Sequence, residues 1–336
     1  MKVGIPRSLF YYYYYPLWAA FINELGGEII LSPPTSKKIL NKGLSIAVDE
    51  ICLPIKVFYG HVDYLIDKVD LLFIPRIVSV APKEFICPKF MGLPDMVRQN
   101  FKVLPKVIDL TVDLSKNPLL LAPIVQKVGS YFTLSLEKIN KAWAYALQQQ
   151  RYFKKLSKEF VQPEEAFKQL NAQDTISKKS KNNKLTLGFL GHGYTIYDPF
   201  LSMELIDRLE KMNIKILTAE SIDDSIINAY AANLPKKMYW TVAKKILGST
   251  FYWLENKAIH GLVYLSVFGC GPDSLVVNMV QRYCHQQGLP FLNLTIDEHT
   301  GEAGTFTRIE AFLDMLEGGF QLEGNISAYG QSISGS

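Results

Sequence analysis

The chain has 336 residues, 48% of them apolar and 20% charged, with a formal net charge of +4. That length suits two domains and that apolar content fills their cores, while no run of ~18 apolar residues free of charges speaks for a membrane span. Four cysteines in so long a chain argue against a disulfide scaffold and for reduced thiols with a metal or redox role.

In chain order, Lys2–Pro6 has the pattern of a short buried strand, and its Met1–Arg7 setting lacks the basic and apolar blocks of a secretory leader, so a cytoplasmic location is expected. The five tyrosines Tyr11–Tyr15 cannot all face a core, so some should line a cleft or interface. An amphipathic helix to about Leu25, a Gly26-Gly27 stop and a strand over Glu28–Leu31 follow. Asp49–Pro54 opens a helix running to about Ile66, and Asp70–Ile74 is a further strand. From about Asn117 to Glu165 the spacing is helical, which predicts a helical connection. Residues 151–184 hold nine Lys and Arg against four Asp and Glu, including the Lys178–Lys184 run, and read as a solvated linker. No aromatic and basic interleaving accompanies them, so no nucleic-acid partner is expected.

A second unit repeats the first. Leu185–Leu190 is a strand, Gly191-His192-Gly193 a turn, Asp198 a helix N-cap with Pro199 at the first helical position, and Lys215–Leu217 a strand after a helix to about Lys211. Gly261–Val267 and Phe291–Leu294 continue the alternation. The expected fold is therefore α/β, with a parallel, doubly wound sheet in each half of a pseudo-repeat and ligands gathering at the carboxyl ends of strands. The expected division is 1–115, an α/β domain with Cys52 and Cys87, 116–184, the helical connection and basic linker, and 185–330, an α/β domain with Cys270.

Three cysteines stand one or two residues before a proline, in Cys52-Leu53-Pro54, Cys87-Pro88 and Cys270-Gly271-Pro272. A proline that starts a helix puts the preceding thiol near free backbone N–H groups and the positive end of the helix dipole, where a thiolate is favoured as nucleophile or metal ligand. A shared metal or iron–sulfur site, ordinary buried cysteines and a reactive thiol all fit that pattern. Cys284 lies on an apolar face with Val276 and Val280, as a core residue does. Gly191-His192-Gly193 suits either an anion cradle or a tight turn needing small residues, with His192 able to move a proton. The polar loop Asp297–Gly304 offers Glu298 and His299 as acid/base groups or metal ligands, or merely caps a helix containing Arg308 and Glu310.

Taken together, Lys2–Arg7 with Tyr11–Pro16, Val48–Pro54, Phe73–Ser79, Ile86–Lys89, Phe268–Ser274 and Leu294–Gly304 with Thr307–Phe312 resemble the acyl-CoA dehydratase activase-related family, a module related to 2-hydroxyglutaryl-CoA dehydratase subunits. The resemblance implies two Rossmann-like or flavodoxin-like domains clamping a 4Fe-4S cluster, with Cys52, Cys87 and Cys270 as its ligands. It implies an ATP-dependent activase (BadF/BcrA type) acting in trans, a homo- or heterodimer, and a low-potential electron spent on a difficult reduction or radical dehydration of an acyl-CoA or other small substrate. His192, Glu298 and His299 would then handle protons, and Arg76, Lys83 and Lys89 would meet an anionic substrate or the partner. Two competing expectations are a non-catalytic electron-transfer or scaffold subunit that docks the activase, and a structural zinc or metal-free binding protein.

Overall fold

The structure, a computed structural model, describes residues 1–172 and 185–318; the Lys178–Lys184 run lies outside the described residues. Met1–His299 form one compact unit, and the chain from Thr300 forms a second.

The first unit begins with β1 (Lys2–Ile5), α1 (Tyr11–Glu24), β2 (Glu28–Leu31), α2 (Lys37–Ile46), α3 (Leu53–Leu65), β3 (Leu71–Phe73), β4 (Arg76–Ser79), α4 (Pro88–Met91), α5 (Leu93–Asn100), β5 (Lys106–Ile108) and β6 (Thr111–Asp113). A helical stretch follows: α6 (Leu121–Gly129), α7 (Leu136–Lys158) and α8 (Pro163–Ala172). The chain then runs through β7 (Leu185–Gly191), α9 (Gly193–Ile196), α10 (Leu205–Lys211), β8 (Ile214–Thr218), α11 (Asp224–Ala231), α12 (Thr241–Glu255), β9 (Gly261–Val267), α13 (Gly271–Gln286) and β10 (Phe291–Ile296). The second unit contains α14 (Glu302–Glu317), which starts after Gly301.

Two four-stranded parallel sheets result, ordered β2-β1-β3-β5 and β8-β7-β9-β10. Numbered within its own half, each sheet has the order 2-1-3-4, so the pseudo-repeat is one of topology as well as of pattern. Parallel strands covered by helices are buried on both faces and therefore apolar throughout. All seven residues of β9 are buried, as are six of seven in β7. β9 pairs with both β7 and β10, in registers such as Leu190↔Tyr264 and Leu294↔Leu265. Gly188 of β7 is packed against Trp253 of α12, where even a methyl group would sit 2.9 Å from the indole ring.

Helix starts follow local capping chemistry. Ser36, Ser135 and Asp223 accept backbone N–H groups at the heads of α2, α7 and α11, contacts worth about 1 kcal/mol each. Three short strands went unread in the sequence. β5 and the small parallel pair β4–β6 are only three or four residues long, too short for alternation to be informative.

One boundary is corrected. A helix was expected from Pro199 to Lys211, yet α10 starts only at Leu205. Met203 and Glu204 have φ of +54° and +56°, left-handed values that interrupt a right-handed helix. Asp198 caps the intervening turn instead, its Oδ1 accepting the amides of Phe200 at 3.0 Å and Leu201 at 3.2 Å.

Candidate metal centre

The three cysteine–proline motifs all fold into helix starts. Cys52 precedes α3 with Pro54 in the first turn, Cys87 precedes α4 with Pro88 as its first residue, and Cys270 precedes α13 with Pro272 in the first turn. Proline is tolerated there because first-turn N–H groups have no partner inside the helix. None of the sulfurs makes a full capping hydrogen bond. The amides of Ile55, of Lys89 and Phe90, and of Asp273 nevertheless face Cys52, Cys87 and Cys270 respectively and favour their ionised forms.

These three distant segments converge on one small cavity. Cys52, Cys87 and Cys270 line it, with Lys89, His192 and Tyr194 as its other side chains bearing polar atoms and Leu9, Phe90 and Val267 among its apolar walls. Leu9 follows β1, His192 follows β7 and Cys270 follows β9. These loops leave the first or third strand of a half, the pair between which strand order reverses. The crevice beyond such a reversal is where α/β sheets collect ligands, and here one cavity is fed by both sheets. Leu9 is held at φ +55° while buried, a costly conformation for a branched side chain.

The thiols do not rest as the thiolates their positions suggest. Burial raises the pKa of Cys52 and Cys87 despite the nearby Lys89 and the facing amides. Cys270 is driven far up, first by burial and then by the adjacent Asp273 carboxylate. Desolvation thus outweighs the helix-terminus effect, and a bound cation is what would complete the ionisation.

His192 ties Cys270 to a buried acid. Its Nε2 lies 3.5 Å from the Cys270 sulfur and 3.3 Å from Asp273 Oδ1. Asp273 also accepts the Tyr264 hydroxyl at 2.8 Å and the Val267 amide at 3.0 Å. The His192 ring stacks on Tyr194, with centroids 4.9 Å apart, and its Nδ1 is buried without a partner. Among the described residues, His192, Cys270 and Asp273 form the group whose ligand atoms all fall within 4.8 Å of one another; the three thiols are not such a group. Thiols spread around one cavity suit a polynuclear cluster, which takes each at a separate corner, better than a single ion.

The other expected site residues lie elsewhere. Glu298 pairs with the buried ammonium of Lys56 on α3. Burial pushes the Glu298 carboxyl up, but the bond and charge of Lys56 outweigh it and leave the group below its ordinary range. His299 is exposed, its amide donating to Asp297 at 2.9 Å. Arg76 pairs with Asp95 and donates to the Met91 carbonyl, and exposed Lys83 donates its amide to the Ser115 carbonyl at 2.9 Å. Neither Arg76, Lys83, Glu298 nor His299 lines the thiol cavity. Cys284 sits in the core with Val276 and Val280, and burial pushes its thiol up to about 12. At Gly191-His192-Gly193 the turn prevails over the anion cradle. The Gly193 N–H is already given to the Tyr13 hydroxyl at 2.7 Å, and a Cβ at Gly193 would meet that oxygen at 2.4 Å.

The family described as the CoA enzyme activase uncharacterised domain (DUF2229) matches residues 2–222. The chain belongs to this family. A second match, to the 2-hydroxyglutaryl-CoA dehydratase D-component, covers residues 199–316. No curated protein matches the chain. Cys52, Cys87 and His192 fall within the first match and Cys270 within the second, so the cavity draws on both. The chain is thus an activase-related member of the acyl-CoA dehydratase group, with a His/Cys/Asp group suited to metal. Among the described residues, no helix is long and apolar enough to cross a membrane.

Proposed function

We propose that Cys52, Cys87 and Cys270 hold a 4Fe-4S cluster, and that this cytoplasmic protein takes a low-potential electron from an ATP-dependent activase in trans for a difficult reduction or dehydration of an acyl-CoA or other small substrate. The observation carrying this reading is the convergence of three thiols, each at a helix start, on one cavity where the strand orders of both sheets reverse. A cluster held by three thiolates supplies one-electron chemistry and an iron corner open to a small ligand.

The chain's own residues divide the remaining work. The facing amides and Lys89 offset the negative charge that three thiolates bring. Asp273, itself fixed by Tyr264 and Val267, orients the His192 ring beside the Cys270 sulfur. Leu9, Phe90, Tyr194 and Val267 give the half-buried thiols a largely apolar surround. Glu298 is engaged by Lys56, and His192 is therefore the better placed of the expected proton carriers.

A second reading, a non-catalytic electron-transfer or scaffold subunit, draws support from the smallness of the thiol cavity and its largely apolar walls. Phe268, two residues before Cys270 and 70% exposed, gives such a subunit an apolar contact for a partner.

The test is anaerobic purification with visible absorption and iron, sulfide and zinc counts, for wild type and Cys87→Ala. The expected result is about four irons per chain and a broad band near ~400 nm, both lost in the variant. A protein that stays colourless and iron-free after reconstitution with iron and sulfide overturns the redox reading; zinc in its place points to a structural site.

A further inference from the structure

Cys270 differs from the other two thiols in the imidazole beside it. His192 Nε2 lies within reach of both the Cys270 sulfur, at 3.5 Å, and Asp273 Oδ1, at 3.3 Å. The backbone is shaped for this approach. A Cβ at Gly191 would meet the Leu265 carbonyl at 2.6 Å, so glycine there lets the loop that carries His192 lie against β9, and Cys270 and Asp273 follow β9 directly.

Whether Nε2 can serve as a donor or as a metal ligand depends on its proton, and the surrounding bonds fix where that proton sits. Asp273 is 1% exposed, and both its oxygens are already acceptors, Oδ1 from the Tyr264 hydroxyl at 2.8 Å and Oδ2 from the Val267 amide at 3.0 Å. A carboxylate in that role offers Nε2 only lone pairs, so their contact is a hydrogen bond when Nε2 carries the hydrogen. With the proton on Nδ1, two lone pairs would face each other across 3.3 Å. Nδ1 is also buried without a partner, so the same tautomer would leave a buried N–H unmet. Stacking on the Tyr194 ring, with the two planes 7° apart, holds the imidazole in this plane.

We propose that His192 is a positioning residue of the metal centre: Asp273 holds its Nε2–H toward the Cys270 sulfur, and that donor raises the reduction potential of the cluster without His192 becoming a ligand. The inference rests on the cluster reading above. A hydrogen bond donated to a thiolate is strengthened by negative charge, and the reduced cluster carries one more negative charge than the oxidised one. The donor therefore stabilises the reduced form, and the electron is accepted more readily.

The test is a redox titration followed by EPR on the anaerobically loaded full chain, with wild type, His192→Leu and His192→Gln compared at equal iron content. His192→Leu shifts the one-electron equilibrium roughly tenfold toward the oxidised form, a fall of about 59 mV. His192→Gln, which offers an amide N–H at similar reach, recovers most of that fall. Electron–nuclear double resonance of the reduced wild type shows an exchangeable proton that His192→Leu lacks, and no directly bound ring nitrogen. Ring 15N–1H spectra of the metal-free full chain show His192 protonated at Nε2, a readout that holds even where His192→Leu does not fold. A potential unchanged in His192→Leu, a ring nitrogen bound to iron, or the Nδ1–H tautomer overturns this proposal while leaving the cluster reading intact. A chain that takes up no iron overturns the cluster reading, and this proposal with it.

Discussion

The two halves share a strand order but bring opposite charges to the cavity they build. The first half contributes Cys52 and Cys87 with Lys89 beside them; the second contributes Cys270 with Asp273 beside it. Lys89 is half-buried and keeps part of its hydration, whereas Asp273 is fully buried and persists because Tyr264, Val267 and His192 converge on its two oxygens. A charge kept near solvent is adjustable, and one fixed by several donors is structural. The second-half side of the cavity is therefore the rigid wall against which the first-half thiols are set.

The largest effect should come from that wall. Asp273→Ala strands the Tyr264 hydroxyl, the Val267 amide and the His192 ring without their acceptor, and should cost about 3–5 kcal/mol in urea unfolding. A loss below about 1 kcal/mol would break the contrast between the halves.

A second test lies where the halves meet. Thr35 gives its single proton to Asp198 and so accepts from His61 Nε2 at 3.0 Å, which joins first-half groups to a second-half acid. Burial lowers the His61 pKa to about 3 from 6.5. The stability contributed by its neutral form is complete above the unfolded value and is lost as pH falls through that window. Asp198 is the reverse, raised by burial to about 6 from 3.8, so its contribution is complete at low pH and is lost as pH rises to that value. Across the window the two groups share, their opposite contributions offset one another proton for proton, so wild type should stay nearly flat there as far as this pair is concerned. In His61→Gln only the Asp198 contribution remains of the pair. Relative to wild type its stability should then rise on acidification, by an amount on the order of 3 kcal/mol over that window. Urea midpoints measured along a pH series decide it; parallel pH profiles would mean that the pair does not couple the halves.

Much of this was legible in the sequence because local rules govern it. The parallel strands are apolar runs with stops at Gly or Pro, and the three thiols announced themselves by a proline in the following turn. The topology then brought Cys52, Cys87, Cys270, Lys89 and His192 to one place. Residues whose role depends on long-range packing stayed hidden. Asp273 looks like an ordinary acidic first-turn residue of α13, and only folding brings it Tyr264 and His192 as partners. Glu298 carries the right chemistry in its loop, but no local pattern shows Lys56, 242 positions earlier, as its partner. The direction of the thiol pKa values was misjudged for the same reason: a helix start is visible in sequence, and the burial that outweighs it is not.

The smallest expected effect completes the contrast. Lys89→Ala removes a side chain that is half-buried and acts on Cys52 through its charge and a hydrogen bond, with no carboxylate partner among the described residues. Water replaces the lost ammonium there, so the change in unfolding free energy should stay within about 1 kcal/mol. The same urea experiment used for Asp273→Ala measures it. A cost approaching that of the aspartate would mean that Lys89 is as structural as Asp273, and that the cavity has two rigid walls instead of one rigid and one adjustable. A cost near zero, beside a large one for Asp273→Ala, leaves the lysine free to serve the charge of whatever the thiols hold.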